Sequence, residues 1–231
     1  MNVRILHLLE GAEKSTGLTV VIDVFRAFST ACYVFAGGAE RIIPVGEVEE
    51  ARNLKEENPD FLLIGERRGR KLSGFDYNNS PSEIVGADFS GKTVVLTTSS
   101  GTKGFMAARG SEELITGSLV NLDAVVSYIV KQNPNTVSIV PMGKRGVERA
   151  DEDELCAEWM RTKLKGEGID EVSSAIESLK EGDGRRFFEK ENQNWSPEED
   201  FYLCTDVNRF DFVVKAEPLD GDNLVLKKIE A

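Results

Sequence analysis

The chain has 231 residues, 40% hydrophobic and 29% charged, which is enough for one large domain or two small ones with a well-solvated surface. Its formal net charge of −12 argues against nucleic acid or an anionic membrane as a partner. No apolar run approaches the roughly 18–20 residues that span a bilayer, and the N-terminal segment lacks a signal-peptide pattern. We therefore expect a cytoplasmic protein.

Cysteine and histidine are too scarce for several kinds of site. Cys32, Cys156 and Cys204 are widely spaced and odd in number, which argues against a disulfide framework and against structural zinc. The single histidine, His7, cannot supply a histidine-rich metal site and is poorly placed for a serine hydrolase triad. Any metal ion should therefore be a hard cation with oxygen ligands, such as Mg²⁺.

Short β-branched runs alternate with helical patterns along the chain. Strands are predicted at Leu18–Ile22, 61–64, 94–96 and 137–140, and helices at 28–37, 48–57, 102–109, 122–131 and 152–165. The tail from 201 to 229 offers further strand candidates, with 210–214 and 224–228 predicted to pair as a hairpin around 220–222. This alternation predicts an α/β fold whose sheet is buried on both faces.

Two stretches of the sequence resemble each other. Residues 17–22 are similar to 91–96, and 36–43 are similar to 108–115. We interpret this as one strand–loop–helix–strand unit used twice, the alternative being a chance similarity between two βαβ units. No low-complexity linker divides the chain, so a single domain over 1–231 is predicted, with a polar loop or weak hinge near 182–196.

Polar residues gather directly after the predicted strands, where ligands bind in open α/β sheets. They include Asp23 and Arg26, Glu66 with Arg67 and Arg68, the loop from Thr97 to Gly104, and Lys144 with Arg145. Carboxylates can hold Mg²⁺, arginines can bind phosphate oxygens in forked pairs, and a glycine-hydroxyl loop opening a helix can offer N–H groups to an anion. Together they indicate phosphoryl transfer.

Each of these features also has a purely structural interpretation. Asp23 could cap the next helix, the Thr97–Thr102 stretch could be an ordinary capping loop, and Arg67 with Arg68 could be a solvated pair. The common signatures of other phosphate enzymes are missing from the sequence: there is no GxxxxGK[ST] loop and no GxGxxG. The five-residue spacing of a cysteine phosphatase loop and the DxD of a haloacid-dehalogenase-type enzyme are also lacking.

Motifs over most of the chain, in the same order, resemble those of the 2-phosphosulfolactate phosphatase family. The matching segments are Asp23 to Ala27 with Ser29-Thr30, Gly65 to Gly69, Gly74 to Asp76 with Asn79 to Pro81, Thr97-Thr98 with Gly101-Thr102, Gly117 to Leu119 with Asn121, and Glu152-Asp153 with Leu155 to Ala157. They parallel the family's D-V-L-R-A-T-T-T, G-E-R-x-G, G-F-D-x-x-N-S-P, T-T-x-N-G-T and E-D-x-x-C-A segments. Ser100 stands where the family usually has Asn, and residues 166–196 match weakly.

The resemblance implies a three-layer α/β/α fold with a mostly parallel or mixed sheet. It also implies Mg²⁺-dependent hydrolysis of (R)-2-phospho-3-sulfolactate to 3-sulfolactate and phosphate, a step associated with coenzyme M biosynthesis. Two alternatives stay open: a phosphatase acting on another small acidic phosphate ester, and a non-catalytic protein that binds an anionic metabolite. A homodimer is expected from the frequency of dimers among such enzymes.

With the resemblance, each candidate residue receives a predicted role. Catalysis is assigned to Asp23, Arg26, Glu66 and Arg67. Metal binding is assigned to Asp23, Glu66, Asp76 and Asp153. Substrate binding is assigned to Asn79, Thr98, Ser99, Ser100, Gly101, Thr102, Lys103, Lys144 and Arg145. Whether water attacks the phosphorus directly, or an aspartate such as Asp23 attacks first, is left open.

Overall fold

The buried, β-branched runs of the sequence form one mixed sheet in a computed structural model that describes residues 1–219 and 223–231. The strands of this described part are β1 (Asn2–Ile5), β2 (Leu18–Ile22), β3 (Arg41–Pro44), β4 (Leu62–Arg67), β5 (Arg70–Lys71), β6 (Thr93–Thr97), β7 (Glu113–Gly117), β8 (Thr136–Pro141), β9 (Phe212–Pro218) and β10 (Leu224–Glu230). The α-helices are α1 (Leu8–Glu13), α2 (Ala27–Ala36), α3 (Val48–Glu57), α4 (Pro81–Ile84), α5 (Gly101–Ala107), α6 (Leu122–Gln132), α7 (Asp151–Leu164), α8 (Val172–Ser178) and α9 (Glu198–Thr205). Short 3-10 turns lie at Leu119–Asn121, Asp183–Phe187 and Lys190–Asn192.

The sheet consists of two parallel groups that run in opposite directions. Its order is β1-β8-β2-β7-β9-β10-β3-β6-β4-β5. Strands β1, β8, β2 and β7 are parallel to one another, and so are β3, β6 and β4. The antiparallel hairpin β9–β10 pairs with β7 on one side and with β3 on the other. Within the described residues, this hairpin supplies the ladders that join the two groups.

The helices α2 and α5 cross between the two groups. Helix α2 connects β2 to β3, and α5 connects β6 to β7. Both predicted repeat units therefore have the strand–loop–helix–strand order, and each gives one strand to each parallel group. The two helices pack together, with the ring centroids of Phe28 and Phe105 5.9 Å apart.

Helices cover both faces of the sheet, as the apolar runs require. In β2 the side chain of Val21 joins the core beneath α2 and α5, whereas Val20 and Ile22 join a second core against α6 and α7. In β9 the same alternation sends Val214 to the first core and Val213 to the second. The predicted α/β class with a three-layer α/β/α arrangement and a mixed sheet is confirmed.

Most predicted elements are found with boundaries shifted by a few residues. The short elements α1, α4, α8, α9 and β5 were not predicted, and residues 201–205, which fell among the strand candidates, are helical in α9. The predicted terminal hairpin pairs as β9 and β10, while its predicted turn at 220–222 lies outside the described residues. Over residues 1–219 and 223–231, every helix is too short or too polar to cross a membrane.

Replacing the central hairpin residue Val214 by alanine should destabilise the whole sheet. Val214 is completely buried, so we expect Val214→Ala to lower the free energy of unfolding by about 2 kcal/mol through lost burial and a residual cavity. The matched control is Val130→Ala on α6, because Val130 is 57% exposed. This substitution should lower the free energy of unfolding by less than about 0.5 kcal/mol. Urea unfolding measures both variants, and equal losses would contradict the central role of the hairpin.

Candidate active site

A cavity of about 360 Å³ lies where loops after β2, β4, β6 and β8 meet the start of α7 and a segment near 186–195. This volume is typical of a small-molecule site. The lining residues are Asp23, Phe25, Arg26, Glu66, Arg68, Gly69, Asn79, Ser99, Ser100, Gly143, Lys144, Arg145, Glu152, Asp153, Arg186 and Trp195.

The loops of the two parallel groups meet here because the starts of α2 and α5 are in contact. A Cβ atom on Gly101, the first residue of α5, would lie 2.7 Å from Asp23 Oδ2 and 2.7 Å from the Cβ of Ala27. The prediction placed the polar loops along one shared edge of the sheet. The opposite directions of the groups rule out a single edge, and the helix contact brings the loops together instead.

Asp23 is buried at the bottom of this contact and is held by backbone donors. Its Oδ1 accepts the N–H of Ala27 at 3.0 Å. Burial raises the pKa of Asp23 to about 6, and the charge of Glu66 adds to the rise, whereas the N–H groups of Ala27 and Gly101 oppose it. Arg26 occupies the N-cap position of α2, but Asp23 accepts the N–H of the first helical residue, so it stabilises the start of this helix as well as lining the cavity.

Helix α7 presents two further buried carboxylates from its first turn. Asp153 accepts the N–H of Val24 at 2.7 Å on one oxygen and the N–H of Gly143 at 2.8 Å on the other. Burial raises the pKa of Asp153 well above its usual value, and the charges of Asp23 and Glu152 raise it further. Burial likewise raises the pKa of Glu152 to about 7, although the charge of Arg186 opposes the rise.

Glu66 also lines the cavity, but its oxygens are largely occupied. They accept the N–H of Ser99 at 2.6 Å, the hydroxyl of Ser99 at 3.0 Å and the N–H of Gly69 at 2.6 Å. Glu66 therefore fastens the loop after β6 to the turn between β4 and β5. Ser100 makes a second tie, since its hydroxyl donates to the carbonyl of Gly143 at 2.7 Å.

Arg26 is tied into a buried network that reaches α9. Its Nη1 lies 2.5 Å from Oδ2 of Asp200, and its Nη2 donates to the carbonyl of Gly69 at 3.2 Å. Asp200 also accepts the hydroxyl of Ser80 at 2.6 Å and the N–H of Ser82 at 2.8 Å. Asp200 thereby holds the loop after β2 and the segment 80–82 directly, and it holds the turn at Gly69 through Arg26.

The donor set suits a hard cation. Oε2 of Glu152 and Oδ1 of Asn79 are buried oxygens without a hydrogen-bond partner, and both residues line the cavity. Among residues 1–219 and 223–231, no group of three or more His, Cys, Asp or Glu is arranged to hold a metal ion. Mg²⁺ does not need such a group, because it commonly uses one or two carboxylates, several waters and the substrate phosphate.

The cavity brings together many of the predicted site residues. Those lining it are Asp23, Arg26, Glu66, Asn79, Ser99, Ser100, Lys144, Arg145 and Asp153. The cavity does not include three charged candidates. Arg67 turns to the carbonyls of Glu66 and Gly46, and Lys103 lies 3.3 Å from Glu47. Oδ2 of Asp76 accepts the N–H of Leu63 at 2.7 Å, and Asp76 lies outside the cavity in which its predicted metal-binding role would place it.

The hydroxyl-glycine loop differs from the predicted anion cradle. Thr98 and Thr102 are buried and bond to each other: the N–H of Thr102 donates to Oγ1 of Thr98 at 3.1 Å, and the N–H of Thr98 to Oγ1 of Thr102 at 2.9 Å. The N–H of Gly101 is directed to Asp23. These three N–H groups therefore already have partners within the protein, whereas Ser99 and Ser100 of the same loop line the cavity. The role of the loop in substrate binding stays a prediction.

Several lining residues had no predicted site role. Glu152 stands beside the predicted Asp153, so the acidic start of α7 was a signal for it. Arg186 and Trp195 come from the segment that resembles the family least, and no motif pointed to them. Phe25, Arg68, Gly69 and Gly143 complete this group.

Buried carboxylates that face arginines across a small cavity are what an α/β phosphoric monoester hydrolase requires. The comparisons agree with this class, because residues 5–218 match the family described as 2-phosphosulpholactate phosphatase. The chain belongs to that family.

Relatives carrying the name "Probable 2-phosphosulfolactate phosphatase" match over half to nearly all of the chain. The one from Bacillus subtilis (strain 168) is 31% identical over 214 residues, covering 92% of each chain. The one from Caldanaerobacter subterraneus subsp. tengcongensis is 37% identical over 209 residues, covering 85% of this chain and 86% of the relative. A third, from Carboxydothermus hydrogenoformans, is 44% identical over 124 residues, covering 54% of this chain and 51% of the relative.

Adding one methyl group at Gly101 should displace Asp23. Gly101→Ala places a Cβ 2.7 Å from both Asp23 Oδ2 and the Cβ of Ala27, so we expect a loss of about 1–3 kcal/mol in unfolding free energy. Gly110→Ala is the control, because a Cβ there meets no atom within 4 Å. Thermal unfolding compares the two, and an unperturbed Gly101→Ala would show that α5 is not packed on Asp23 as described.

The stability of the metal-free protein should depend on the ionisation of Glu152. Its pKa in the fold, about 7, lies above the ordinary value of 4.5, so its contribution to stability is complete below pH 4.5 and is lost as pH rises through 7. In the presence of a chelator, the free energy of unfolding of Glu152→Gln should therefore rise by about 1–3 kcal/mol relative to that of the wild type between pH 5 and pH 8. Urea unfolding at both pH values measures this gain.

The matched control is Glu158→Gln, whose side chain is 48% exposed on the same helix. The difference in unfolding free energy between Glu158→Gln and the wild type should stay nearly constant between the two pH values. If the difference for Glu152→Gln is equally constant, the raised pKa of Glu152 is contradicted.

Proposed function

We propose that this chain hydrolyses 2-phospho-3-sulfolactate to 3-sulfolactate and phosphate with the help of Mg²⁺. The observation that carries the proposal is that Asp23, Glu66, Glu152 and Asp153 line one cavity together with arginine and lysine side chains. The membership of the family supports the substrate, and the names of the relatives support the same reaction.

The charge distribution of the cavity suits a substrate with several anionic groups. The substrate carries a phosphate, a carboxylate and a sulfonate. Arg68 and Arg145 are exposed lining residues and Lys144 is partly exposed, whereas the four carboxylates are buried. The sulfonate and carboxylate can bind to the cations nearer the solvent while the phosphoryl group enters among the carboxylates.

Two buried oxygens without hydrogen-bond partners favour Mg²⁺ as the ion that would hold the phosphoryl group among the carboxylates. Glu152, with Asp23 or Asp153, would hold the ion, and Oδ1 of Asn79 supplies a further oxygen. When bound, Mg²⁺ neutralises phosphoryl charge and lowers the pKa of water. Without a cation, the cluster of carboxylates would repel the phosphate, so dependence on a divalent ion is expected.

The chain's own residues supply positioning. Glu66 fixes Ser99 and Gly69, and Asp153 fixes Val24 and Gly143, so the walls are set before substrate enters. In hydrolysis, water oxygen forms a bond to phosphorus, the ester P–O bond breaks, and the leaving oxygen of sulfolactate takes a proton. The association with coenzyme M biosynthesis and the cytoplasmic location stay predictions.

Phosphate release from 2-phosphosulfolactate, with and without Mg²⁺, tests the proposal directly. A panel of other phosphorylated hydroxy acids and p-nitrophenyl phosphate should be hydrolysed much more slowly. Asp23→Asn should lower kcat/KM about a hundredfold or more, because a buried charge at the reacting end of the substrate is lost.

Asp76→Asn is the matched control, because Asp76 is not among the cavity-lining residues, and it should stay within about threefold of wild type. Absence of release from every compound would contradict phosphatase activity. Equal, slow release across the panel would keep the reaction but contradict the substrate, and Ser100 would then be the first residue to replace.

A further inference from the structure

The arginine and lysine side chains of the cavity differ in whether a carboxylate already neutralises them. Arg26 forms a buried ion pair with Asp200, with Nη1 2.5 Å from Oδ2. Lys144 forms an ion pair with Asp183 and lies 3.8 Å from Glu148. Both cations therefore have their charge balanced by the protein itself, which weakens their attraction for a bound anion.

Arg186 is in a different position. Its Nη1 and Nη2 donate to the backbone carbonyls of Asp183 at 3.4 Å and of Phe25 at 3.3 Å. Ion pairs among the described residues join N and O atoms within 4.0 Å, and none of them includes Arg186. Its guanidinium carbon also lies over the rings of Phe25 and Phe187, at 5.6 and 4.8 Å from their centroids. Neutral groups thus fix the side chain in place, and its positive charge acts on Glu152 and Asp23 without a direct ion pair to either.

The depth of Arg186 separates it from Arg68 and Arg145, two other arginines that line the cavity. Arg68 and Arg145 are exposed, whereas Arg186 is half-buried and lies in the 3-10 turn Asp183–Phe187, which the fully buried ring of Phe187 anchors. That ring packs on Phe25, two residues after Asp23, with centroids 4.9 Å apart. Arg186 consequently lies on the side of the cavity where Asp23 and the other carboxylates are buried.

We propose that Arg186 is a substrate-binding residue that holds the phosphoryl group, while Arg26 is a positioning residue that braces the cavity wall through Asp200. The proposal rests on the proposed function for the identity of the substrate. It assigns recognition of the reacting group to the 182–196 segment, which carries no recognisable motif. A guanidinium already held over two rings loses little freedom on forming forked bonds to phosphate oxygens.

Calorimetric binding of inorganic phosphate, in the presence of Mg²⁺, tests Arg186 independently of turnover. Arg186→Gln should weaken phosphate affinity about ten- to hundredfold, and Arg186→Lys should weaken it less because the charge is kept. The control is Arg185→Gln, because the neighbouring Arg185 side chain is 74% exposed. The phosphate affinity of this variant should stay within about twofold of wild type. Thermal unfolding checks that each variant folds, and Arg186→Lys serves if Arg186→Gln does not.

Binding of 3-sulfolactate, the other product, distinguishes the phosphoryl role from a sulfonate role. Its affinity should change less than twofold in Arg186→Gln. Wild-type phosphate affinity in Arg186→Gln, or a loss confined to 3-sulfolactate, would overturn the assignment. Failure of the wild type to release phosphate from 2-phosphosulfolactate would instead contradict the proposed function, and the phosphate titration would still decide the role of Arg186.

Discussion

The burial of three carboxylates, Asp23, Glu152 and Asp153, is the constraint to which the surrounding structure is fitted. The pKa of each is raised by burial, and for Glu152 and Asp153 the neighbouring carboxylates raise it further. Backbone N–H groups oppose this cost, and they come from the start of α2, from the loop after β2 and from the loop after β8. The bonds that keep the carboxylates in place therefore also join separate elements of the fold. Such a cluster lowers stability and is retained where it serves binding.

The direction of the strands explains why this cluster forms in the interior. In a doubly wound parallel sheet, ligands bind beyond one edge, where the carboxyl ends of the strands meet. Here the group containing β2 and β8 runs opposite to the group containing β4 and β6, so their carboxyl ends do not share an edge. The contact between Gly101 and Asp23 at the crossing of α2 and α5 takes the place of that edge.

Sequence reasoning found what periodicity and short motifs encode. Strand β2 was predicted because its five residues are apolar or β-branched, and the structure buries all five. Asp23 follows this strand, and Asp153 lies in the first turn of a predicted helix. The sequence pattern did not show which side chains of β4 point toward the cavity. Neighbours in a strand point to opposite faces, so Glu66 lines the cavity while Arg67 turns to Gly46.

The same reasoning gave no role to Arg186 and Trp195. These residues lie in a segment whose turns have neither helical nor strand periodicity. Its position is fixed by tertiary contacts, above all by the buried ring of Phe187 against Phe25 and Phe201. Contacts of this kind depend on residues far apart in the chain, so a local pattern does not reveal them.

The central position of the β9–β10 hairpin has a consequence for the order of folding. Among the described strands, β9 and β10 come last along the chain, yet they supply the ladders between β7 and β3. During synthesis the two parallel groups must therefore wait for the hairpin before they join as one sheet. Pairing across such long sequence separations is slow, and until it is complete the edges of β7 and β3 stay open to wrong partners. The central position of the hairpin thus makes this chain dependent on its last strands for protection against aggregation.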